Sequence, residues 1–581
     1  MSARPHDPAT VPWRVGLLPV ADHRGALSMQ RCRLLLAILL ALAFHPLGAS
    51  ARDLTIGINQ FPSNLHPNID SMAAKSYVLG LTQRPLTVYD QEWQLMCMLC
   101  TELPTFENGK AVTEARPDGT QGVAVTFTIR PDATWGDGVP ITTRDVLFTW
   151  EVGRHAQSGV GNAEMYRRIW QIDVVDDKTF TIHDEKLTFN YNAYNDFRVL
   201  PEHLERAVFE ADPATYRNRT LFDTAPTNPG LAFGPYRIAE VAPGSQILLE
   251  RNPTWWGPAP AFDRIVVKAI ENTTALEANL LSGEVDMVEG ALGMSLDQAL
   301  AFERRNGDRF QVHYQPGLVY EHMDVMLDSP ALQDARVRQA LLYGLDRQAI
   351  SDRLFAGRQP VADTSVHPLD WVHTDQVHHY DFDPDKAAAL LEAAGWAPGP
   401  DGIRRNAAGE PLRVELMTTA GNRTRELIQQ VAQGQWRQIG VDTVIRNEPA
   451  RVFFGETTSR RRFTGLALFA WISSPENVPR STLHSQEIPN EANGWSGQNY
   501  TGYRNPRMDE LLGAIEVELD RDKRRLLWEE LQRIYAEDLP ALPLFFRADA
   551  HVWPTWLHGI RPTGHMAPVT LWVEEWRVDE N

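Results

Sequence analysis

Alternating apolar and polar positions mark the clearest predicted strands. Residues 123–129 place valine, phenylalanine and isoleucine at every second position, with small or polar residues between them. This period of two predicts a half-buried strand. Residues 54–58 alternate more weakly and also predict a strand. Two apolar segments, 172–175 and 180–182, flank a polar turn and predict a hairpin.

Helical spacing becomes frequent in the second half of the chain. Apolar or small residues within 337–345 are spaced by three and one, which predicts an amphipathic helix that ends near Gly357. Asp383-Pro384 and Asn505-Pro506 each combine an N-cap residue with proline at the first helical position. Residues 414–445 predict a strand, a helix and a second strand. A right-handed crossover would make those two strands parallel.

An apolar run at 465–472 ends abruptly in polar residues. The run predicts a buried strand, and Trp471, Ser473 and Ser474 stand where the chain leaves the sheet. The next charged residue is Glu476. Because ligands often bind beyond the ends of strands in α/β folds, we expect a pocket with Trp471, Ser473 and Ser474 in its floor.

The N-terminus has the pattern of a secretory signal peptide. Arginines precede an apolar run at 34–44, which is too short to span a bilayer. Ala49-Ser50-Ala51 follows the small-x-small cleavage pattern, so we predict a signal peptide at 1–51. The stretch before Met29 is long for such a signal, which suggests Met29 as the start of translation. A buried N-terminal helix is the alternative.

The negative net charge of the chain argues against a nucleic-acid partner. The chain carries a formal charge of −19, and residues 1–51 hold five arginines and two aspartates, so the remainder carries −22. Nucleic-acid binding needs clustered positive charge, and we therefore expect no nucleic-acid partner. No cysteine stands directly after the apolar run, at the predicted cleavage site, to accept a lipid. An exported, periplasmic protein without a lipid anchor is the expectation.

Two cysteines remain after residue 51. Cys97 and Cys100 are three positions apart, and in an oxidising compartment a local disulfide is the first interpretation, with free thiols as the alternative. A redox-active pair would open a helix after a strand, but this pair precedes Pro104 in a predicted loop. A zinc site would need two further ligands, which the neighbouring sequence does not offer.

Four motifs in order along the chain carry a family resemblance. They are Phe127-Thr128-Ile129-Arg130-Pro131 through Gly138, Gly234-Pro235-Tyr236 through Gly257, Val337-Arg338-Gln339-Ala340-Leu341 with Asp346-Arg347, and Asp383-Pro384 through Gly395. In this order they resemble the family 5 extracellular solute-binding proteins. These are the peptide- and nickel-binding receptors of ABC importers. The resemblance extends from about Leu54 to about Pro543.

The resemblance implies an architecture. The expected fold class is α/β, a periplasmic binding protein fold of type II and the three-domain subclass, with two hinged lobes and an inserted extra domain. Domain I would comprise 52–84, 230–315 and 541–581, domain II would be the insertion at 85–229, and domain III would be 316–540. The solute would lie between the lobes formed by domains I and III.

The resemblance also raises a question about the solute. In peptide-binding members, the segment that matches residues 471–475 carries an aspartate at or next to Ser474, which receives the α-ammonium of the peptide. A serine hydroxyl accepts a hydrogen bond but does not balance a charge. Three interpretations follow. Glu476 replaces the acid, a peptide binds without close contact to its amine, or the solute is an oligosaccharide, an opine-like conjugate or a metal chelate.

Further binding candidates come from predicted loops. Gln60, Phe61 and Asn64 follow the first strand of the mature chain. Asn499 and Tyr500 precede a capped helix. Tyr320, with His322 beside it, stands before a strand-like segment. Loop residues of this kind also stabilise their own turns, and this alternative stays open for each of them.

Catalysis and cofactors are not expected. The sequence has no Gly-x-Ser-x-Gly, no His-Glu-x-x-His and no phosphate-binding loop, although a glycosidase carboxylate pair stays open. Four histidines between 367 and 379 suggest nickel, but their spacing fits no single helix face, and no bound metal is expected. The predicted function is a monomeric receptor that captures a peptide or peptide-like solute in an interlobe cleft and delivers it to ABC permease subunits. A sensor or chaperone on the same fold is the alternative.

Overall fold

The computed structural model describes residues 53–69, 72–116, 118–449, 452–492 and 497–579. The predicted signal peptide lies outside these residues. Within them, no helix has both the length and the apolar composition that crossing a bilayer requires.

Eighteen strands are found in the described residues. In chain order they are β1 Asp53–Ile58, β2 Thr87–Tyr89, β3 Leu95–Cys97, β4 Ala111–Ala115, β5 Gln121–Thr128, β6 Ile169–Val174, β7 Thr179–Asp184, β8 Tyr236–Ala242, β9 Gln246–Arg251, β10 Arg264–Ala269, β11 Met287–Val288, β12 Phe310–Val325, β13 Arg413–Met417, β14 Asp442–Ile445, β15 Leu466–Ile472, β16 Ala541–Pro554, β17 Leu557–His558 and β18 Arg577–Val578.

Ten of these strands form one mixed sheet in the order β14-β13-β15-β12-β16-β11-β1-β10-β9-β8. β1 is parallel to β10 and β11, and β13 is parallel to β14 and β15, whereas the central strands β15, β12 and β16 are antiparallel. The crossover predicted for residues 414–445 is confirmed. β5 and its neighbours form a separate four-stranded sheet, β4-β5-β7-β6, which includes the predicted hairpin.

The long strands β12 and β16 belong to both ends of the large sheet. Residues 310–316 of β12 pair with residues 548–554 of β16, and β11 pairs with β16 on the far side. Residues 320–324 of β12 pair with residues 541–546 of β16, and β15 pairs with β12 on the opposite side. Between these halves the ladder is interrupted from Pro316 to Tyr320. At Gly317 a Cβ atom would lie only 2.5 Å from the carbonyl oxygen of Gly564, so the backbones approach too closely there for a side chain. The bulge therefore marks the junction between the two ends of the sheet.

Helices cover the faces of both sheets. They are Ala73–Thr82, Thr143–Arg154, Ala163–Arg168, Glu202–Ala211, Leu221–Thr224, Thr273–Ser282, Leu296–Asn306, Ala335–Tyr343, Arg347–Phe355, Pro384–Ala393, Arg423–Gln438, Arg480–Leu483, Pro506–Val517 and Arg521–Asp538.

Helix starts agree with the sequence signals, with one correction. Asp383 caps the helix Pro384–Ala393 and accepts a hydrogen bond from Lys386 N at 2.9 Å. The single helix predicted from 337 to about 357 is wrong, because the chain forms two helices there. Asp346 caps the second helix by accepting from Ala349 N at 2.8 Å, which separates it from the first.

The three largest apolar clusters among the described residues belong to different parts of the fold. One surrounds Ile56 beneath β1 and β8–β10, and a second surrounds Leu341 and Trp436 beneath β13–β15. A third, with Phe127 and Trp135, belongs to the four-stranded sheet, which lies within the segment predicted as an insertion. Burial of separate apolar faces gives each end of the large sheet its own stabilisation.

Cys97 and Cys100 form a disulfide, as predicted. Cys97 is the last residue of β3, and its Cα atom lies 5.2 Å from that of Cys100. Cys100 also forms an isolated β-bridge with Ile129, so the disulfide joins the short β2–β3 hairpin to the edge of the third core.

Candidate ligand-binding site

The end of β15 is fixed against the junction in β12. Trp471 is opposite Tyr320 in the antiparallel ladder, and Ser473 N donates to the carbonyl oxygen of Leu318 at 3.1 Å. Leu318 belongs to the interrupted part of β12. The residues that follow the apolar run therefore face an opening beside the junction rather than another strand.

A cavity of about 120 Å³, here called the tryptophan cavity, lies at this point. Its walls include Tyr320, His322, Trp471, Ser473, Ser474 and Trp528. Trp471 is half-buried, and its ring centroid lies 5.2 Å from that of Phe469 and 5.7 Å from that of Tyr500. These contacts hold the indole rigidly and leave part of it open to the cavity.

Two acids and two histidines add polar groups to the tryptophan cavity. Asp324 and Asp370 both line it, and Asp324 Oδ1 lies 3.2 Å from His322 Nε2. Burial raises the pKa of Asp370 to about 6. His367 is also in the wall, and burial lowers its pKa to about 3, so this ring is neutral at physiological pH.

The structure places Glu476 outside this cavity. Its backbone has a positive φ of 57°, and its carboxylate accepts a hydrogen bond from Trp371 Nε1 and lies 3.8 Å from Arg524. Glu476 lines a different cavity of about 640 Å³. The backbone N of Glu476 donates to Asp370 at 2.8 Å. The turn after Ser474 thus directs Glu476 towards Arg524 and brings Asp370 next to the site.

The predicted loop after β1 lies elsewhere. Phe61 packs against the core around β1, and Gln60 is exposed. Asn64 is half-buried and accepts from Lys75 Nζ at 3.4 Å. None of these three residues lines the tryptophan cavity. The preceding Asn59 lines a neighbouring cavity of about 680 Å³.

The remaining candidates, Tyr320, Asn499 and Tyr500, have different surroundings. Tyr500 packs on Trp471, whereas Asn499 is fully buried and donates to the carbonyl oxygens of His484 and Tyr503 at 3.1 and 2.9 Å. Tyr320 does line the cavity, but the expectation of a loop for Tyr320 and His322 is wrong. Both belong to β12, and the Tyr320 hydroxyl lies 3.0 Å from that of Tyr535.

The histidines between 367 and 379 have separate partners. His379 Nδ1 lies 2.8 Å from Asp363, and His378 Nε2 lies 2.6 Å from the Tyr343 hydroxyl. His367 meets the ring of Phe546 edge to face, with ring centroids 4.6 Å apart. Among the residues that the structure describes, no three metal-ligating side chains converge.

A second cavity, here called the acidic cavity, adjoins the first. Its volume is about 240 Å³, and it shares Leu318, Ile472 and Ser473 with the tryptophan cavity. Its polar wall contains Tyr77, Glu289, Gln315, Arg547, Asp549 and His551. The sequence analysis did not predict these residues. Asp549 could have indicated the cavity, because it is an acid within the mainly apolar segment 541–553.

Comparison with known proteins identifies the family. Residues 113–490 match the family described as Bacterial extracellular solute-binding proteins, family 5 Middle. The chain belongs to this family. The nickel-binding periplasmic protein of Escherichia coli (strain K12) is 24% identical over 529 residues, which cover 88% of this chain and 93% of that relative. The periplasmic oligopeptide-binding protein OppA of the same strain is 24% identical over 458 residues, covering 75% and 78%.

A solved structure supports the same assignment. The oligopeptide-binding protein from Thermus thermophilus, complexed with a pentapeptide, is 30% identical to this family 5 protein, with a TM-score of 0.66. The match covers 90% of this chain and 96% of that chain. The predicted α/β periplasmic binding protein fold is therefore confirmed. The domain boundaries given above stay a prediction.

Proposed function

We propose that this protein captures a peptide or peptide-like solute between its lobes and delivers it to the permease of an ABC importer. The observation that carries the proposal is the tryptophan cavity beside the bulge in β12. It combines a rigid indole with hydroxyl, amide and carboxyl groups at the junction of the two halves of the sheet.

The chemistry of the cavity wall suits such a solute. Trp471 and Trp528 offer apolar faces for side chains, and Ser473, Ser474 and Gln498 offer hydrogen-bonding groups for a peptide backbone. Ile472 is 67% exposed where the two cavities meet. Covering this side chain with a ligand would remove apolar surface from water, which favours binding.

The mechanism involves binding and closure rather than a reaction. The solute first contacts one lobe, and the lobes then close around it. The free energy of closure comes from contacts that exist only in the closed state. Export through a cleaved signal peptide and action as a monomer are parts of the same proposal.

A metal chelate is the second candidate. Both His322 and His367 are almost completely buried in the wall of the tryptophan cavity. Within the described residues, Nε2 of His367 has no hydrogen-bond partner, and Nε2 of His322 has the Asp324 carboxylate nearby without forming a hydrogen bond to it. Such atoms would suit the polar groups of a chelate, and one curated relative is named for nickel while another is named for oligopeptides.

Mass spectrometry of the native cargo tests the proposal. The protein is purified without refolding and denatured, and the released small molecules are identified. Peptides or peptide-like conjugates support the proposal, and a metal with an organic chelator supports the second candidate. Release of a sugar, or turnover of any added solute, would contradict both. A Trp471→Ala variant purified in parallel should release at least about tenfold less cargo, because the main aromatic contact is lost.

A further inference from the structure

The acidic cavity contains two carboxylates that the structure leaves without a balancing cation. Glu289 follows β11 and is half-buried, and Asp549 on β16 is exposed to the cavity. β11 and β16 are antiparallel, with Val288 opposite Val552, so the two acids approach each other across neighbouring strands. Neither carboxylate forms a hydrogen bond or an ion pair with the described residues. Asp549 is the only charge that acts appreciably on Glu289 among them, and it is repulsive.

A nearby acid shows what a structural carboxylate looks like in this protein. Glu321 on β12 is paired with Arg425 and with Arg547, whose terminal nitrogen lies 2.7 Å from Glu321 Oε2. Arg547 also lines the acidic cavity, but its Nε and one terminal nitrogen are already bonded to Glu321. It therefore offers Asp549 only a longer-range attraction. Two carboxylates this close are unfavourable as a pair of charges, so either a proton or a bound cation must compensate them.

A buried hydroxyl supplies an independent sign of a ligand. Tyr77 is 1% exposed and lines the acidic cavity, and its hydroxyl has no hydrogen-bond partner within the described residues. The charge of Glu289 is near enough to raise the pKa of Tyr77 further, after burial. Buried polar groups normally have partners. An unsatisfied hydroxyl beside two unpaired carboxylates indicates that the cavity is completed by a polar occupant.

The remaining groups in the wall do not supply a positive charge. His551 Nδ1 accepts from Gly290 N at 3.2 Å, and burial lowers the pKa of this ring to about 3. His565 accepts from Ala567 N, its other nitrogen lies 2.8 Å from the carbonyl oxygen of Asp90, and burial lowers its pKa to about 4. Both rings are neutral at physiological pH. The wall thus contains two acids and a single arginine that is already engaged.

We propose that the acidic cavity binds a cationic ammonium or guanidinium group of the solute, with Glu289 and Asp549 as its counter-charges and the Tyr77 hydroxyl as a further acceptor. This inference rests on the proposed function and specifies its substrate class. The two acids of the tryptophan cavity have partners, since Asp324 lies beside His322 and Asp370 accepts from Glu476 N. The acidic cavity, which shares Ser473 with it, has carboxylates without a bonded partner among the described residues. Leu318, Ile472 and Ser473 line both cavities, so a solute that extends past these residues would reach both.

Competitive capture of peptides tests this assignment. Wild-type protein, the double variant Glu289→Gln/Asp549→Asn and the control Glu284→Gln are each incubated with a mixture of peptides three to five residues long. Retained peptides are quantified by mass spectrometry. Glu284 is a suitable control because its side chain is 70% exposed and it lies in the turn before β11, outside the acidic cavity. Melting temperatures confirm that all three proteins are folded.

The wild type and the control should retain cation-bearing peptides, and the double variant should retain them at least about tenfold less. Two further mixtures distinguish the source of the cation, one N-acetylated and one without lysine and arginine. Loss of binding only on acetylation assigns the α-ammonium, and loss only without basic residues assigns a side chain. Equal retention by the double variant and the wild type, or equal retention of peptides with and without a cation, would overturn the inference.

Failure of the proposed function gives a different result. If the wild type retains no peptide at all, the peptide-like solute class is wrong. The inference is then decided with spermidine and agmatine in a thermal-shift assay. Stabilisation of the wild type and the control that disappears in the double variant supports a cation site, and absence of stabilisation refutes it.

Discussion

Glu321 offers a direct test of how the junction between the two halves of the sheet is held together. Its side chain is 5% exposed, and it lies between Arg425, which is 9% exposed, and Arg547, which is 38% exposed. We predict that Glu321→Gln destabilises the protein by about 3 kcal/mol. An amide has one acceptor oxygen for two guanidinium groups, and its NH₂ group would face one of them.

The magnitude follows from the burial of each partner. Removing one member of a buried ion pair costs about 3–5 kcal/mol, because the other charge stays buried without compensation. This applies to Arg425. Arg547 is open enough to be rehydrated by water, so its share is small, as for surface pairs of about 0–1 kcal/mol. The retained amide oxygen brings the expected loss to the lower end of the range.

The assay is urea unfolding followed by tryptophan fluorescence at neutral pH. Glu530→Gln is the matched control, because Glu530 accepts two bonds of 2.8 Å from Arg507 but lies on the surface. It should cost less than about 1 kcal/mol. A loss for Glu321→Gln no larger than that of the control would refute the reasoning.

The pH dependence of the Glu321 effect has a defined sign. Burial alone would raise the pKa of Glu321, but Arg547 and Arg425 outweigh burial, and its pKa lies below the ordinary value. A depressed folded-state pKa gives stability that is present above the unfolded pKa and is lost as the pH falls through the folded one. The difference between wild type and Glu321→Gln should therefore shrink below about pH 4.

Three further predictions concern binding. Trp471→Ala should weaken binding of the natural solute at least about tenfold, measured by calorimetry, while the melting temperature changes little because the ring is half-buried. Glu476→Gln should change affinity by less than about twofold, because Glu476 faces Arg524 in another cavity; a tenfold loss would return it to the site. Affinity for a cationic solute should rise with pH by up to about tenfold per unit between pH 6 and 8. Burial, with Asp549 next, raises the pKa of Glu289 to about 8, so binding below that pH must displace a proton. A flat pH profile would contradict this role of Glu289, and the profile of Glu289→Gln is the control.

Sequence signals that act over a few residues correctly predicted the strand that ends at the site. The run at 465–472 predicted β15, and the structure has a strand from Leu466 to Ile472 with Trp471 at a cavity. Cap signals such as Asp383 were equally dependable, because the side chain that accepts the bond is within three residues of the donor. The four ordered motifs indicated the family, and the match over 113–490 agrees with them.

Errors arose where distant contacts decide the outcome. Tyr320 and His322 were expected in a loop, but pairing with β15 and β16 extends β12 through both residues. The hypothesis that Glu476 replaces the missing acid stays a prediction, but it did not foresee Arg524, which lies 48 positions away in the sequence and 3.8 Å from the Glu476 carboxylate. The local pattern of apolar and polar residues predicts neither the strand pairing nor the contact with Arg524.

The sequence by itself determined the family, the fold class and the strand that ends at Trp471. Alternation, helix caps and motif order all act over a few residues, and they can be read without knowing what lies across the sheet. Tertiary structure alone decided which charges meet. Glu289 and Asp549 are separated by 260 positions in the sequence, and only the pairing of β11 with β16 brings them to one cavity. Electrostatic interactions depend on distance in space and on burial, and the folded chain sets both.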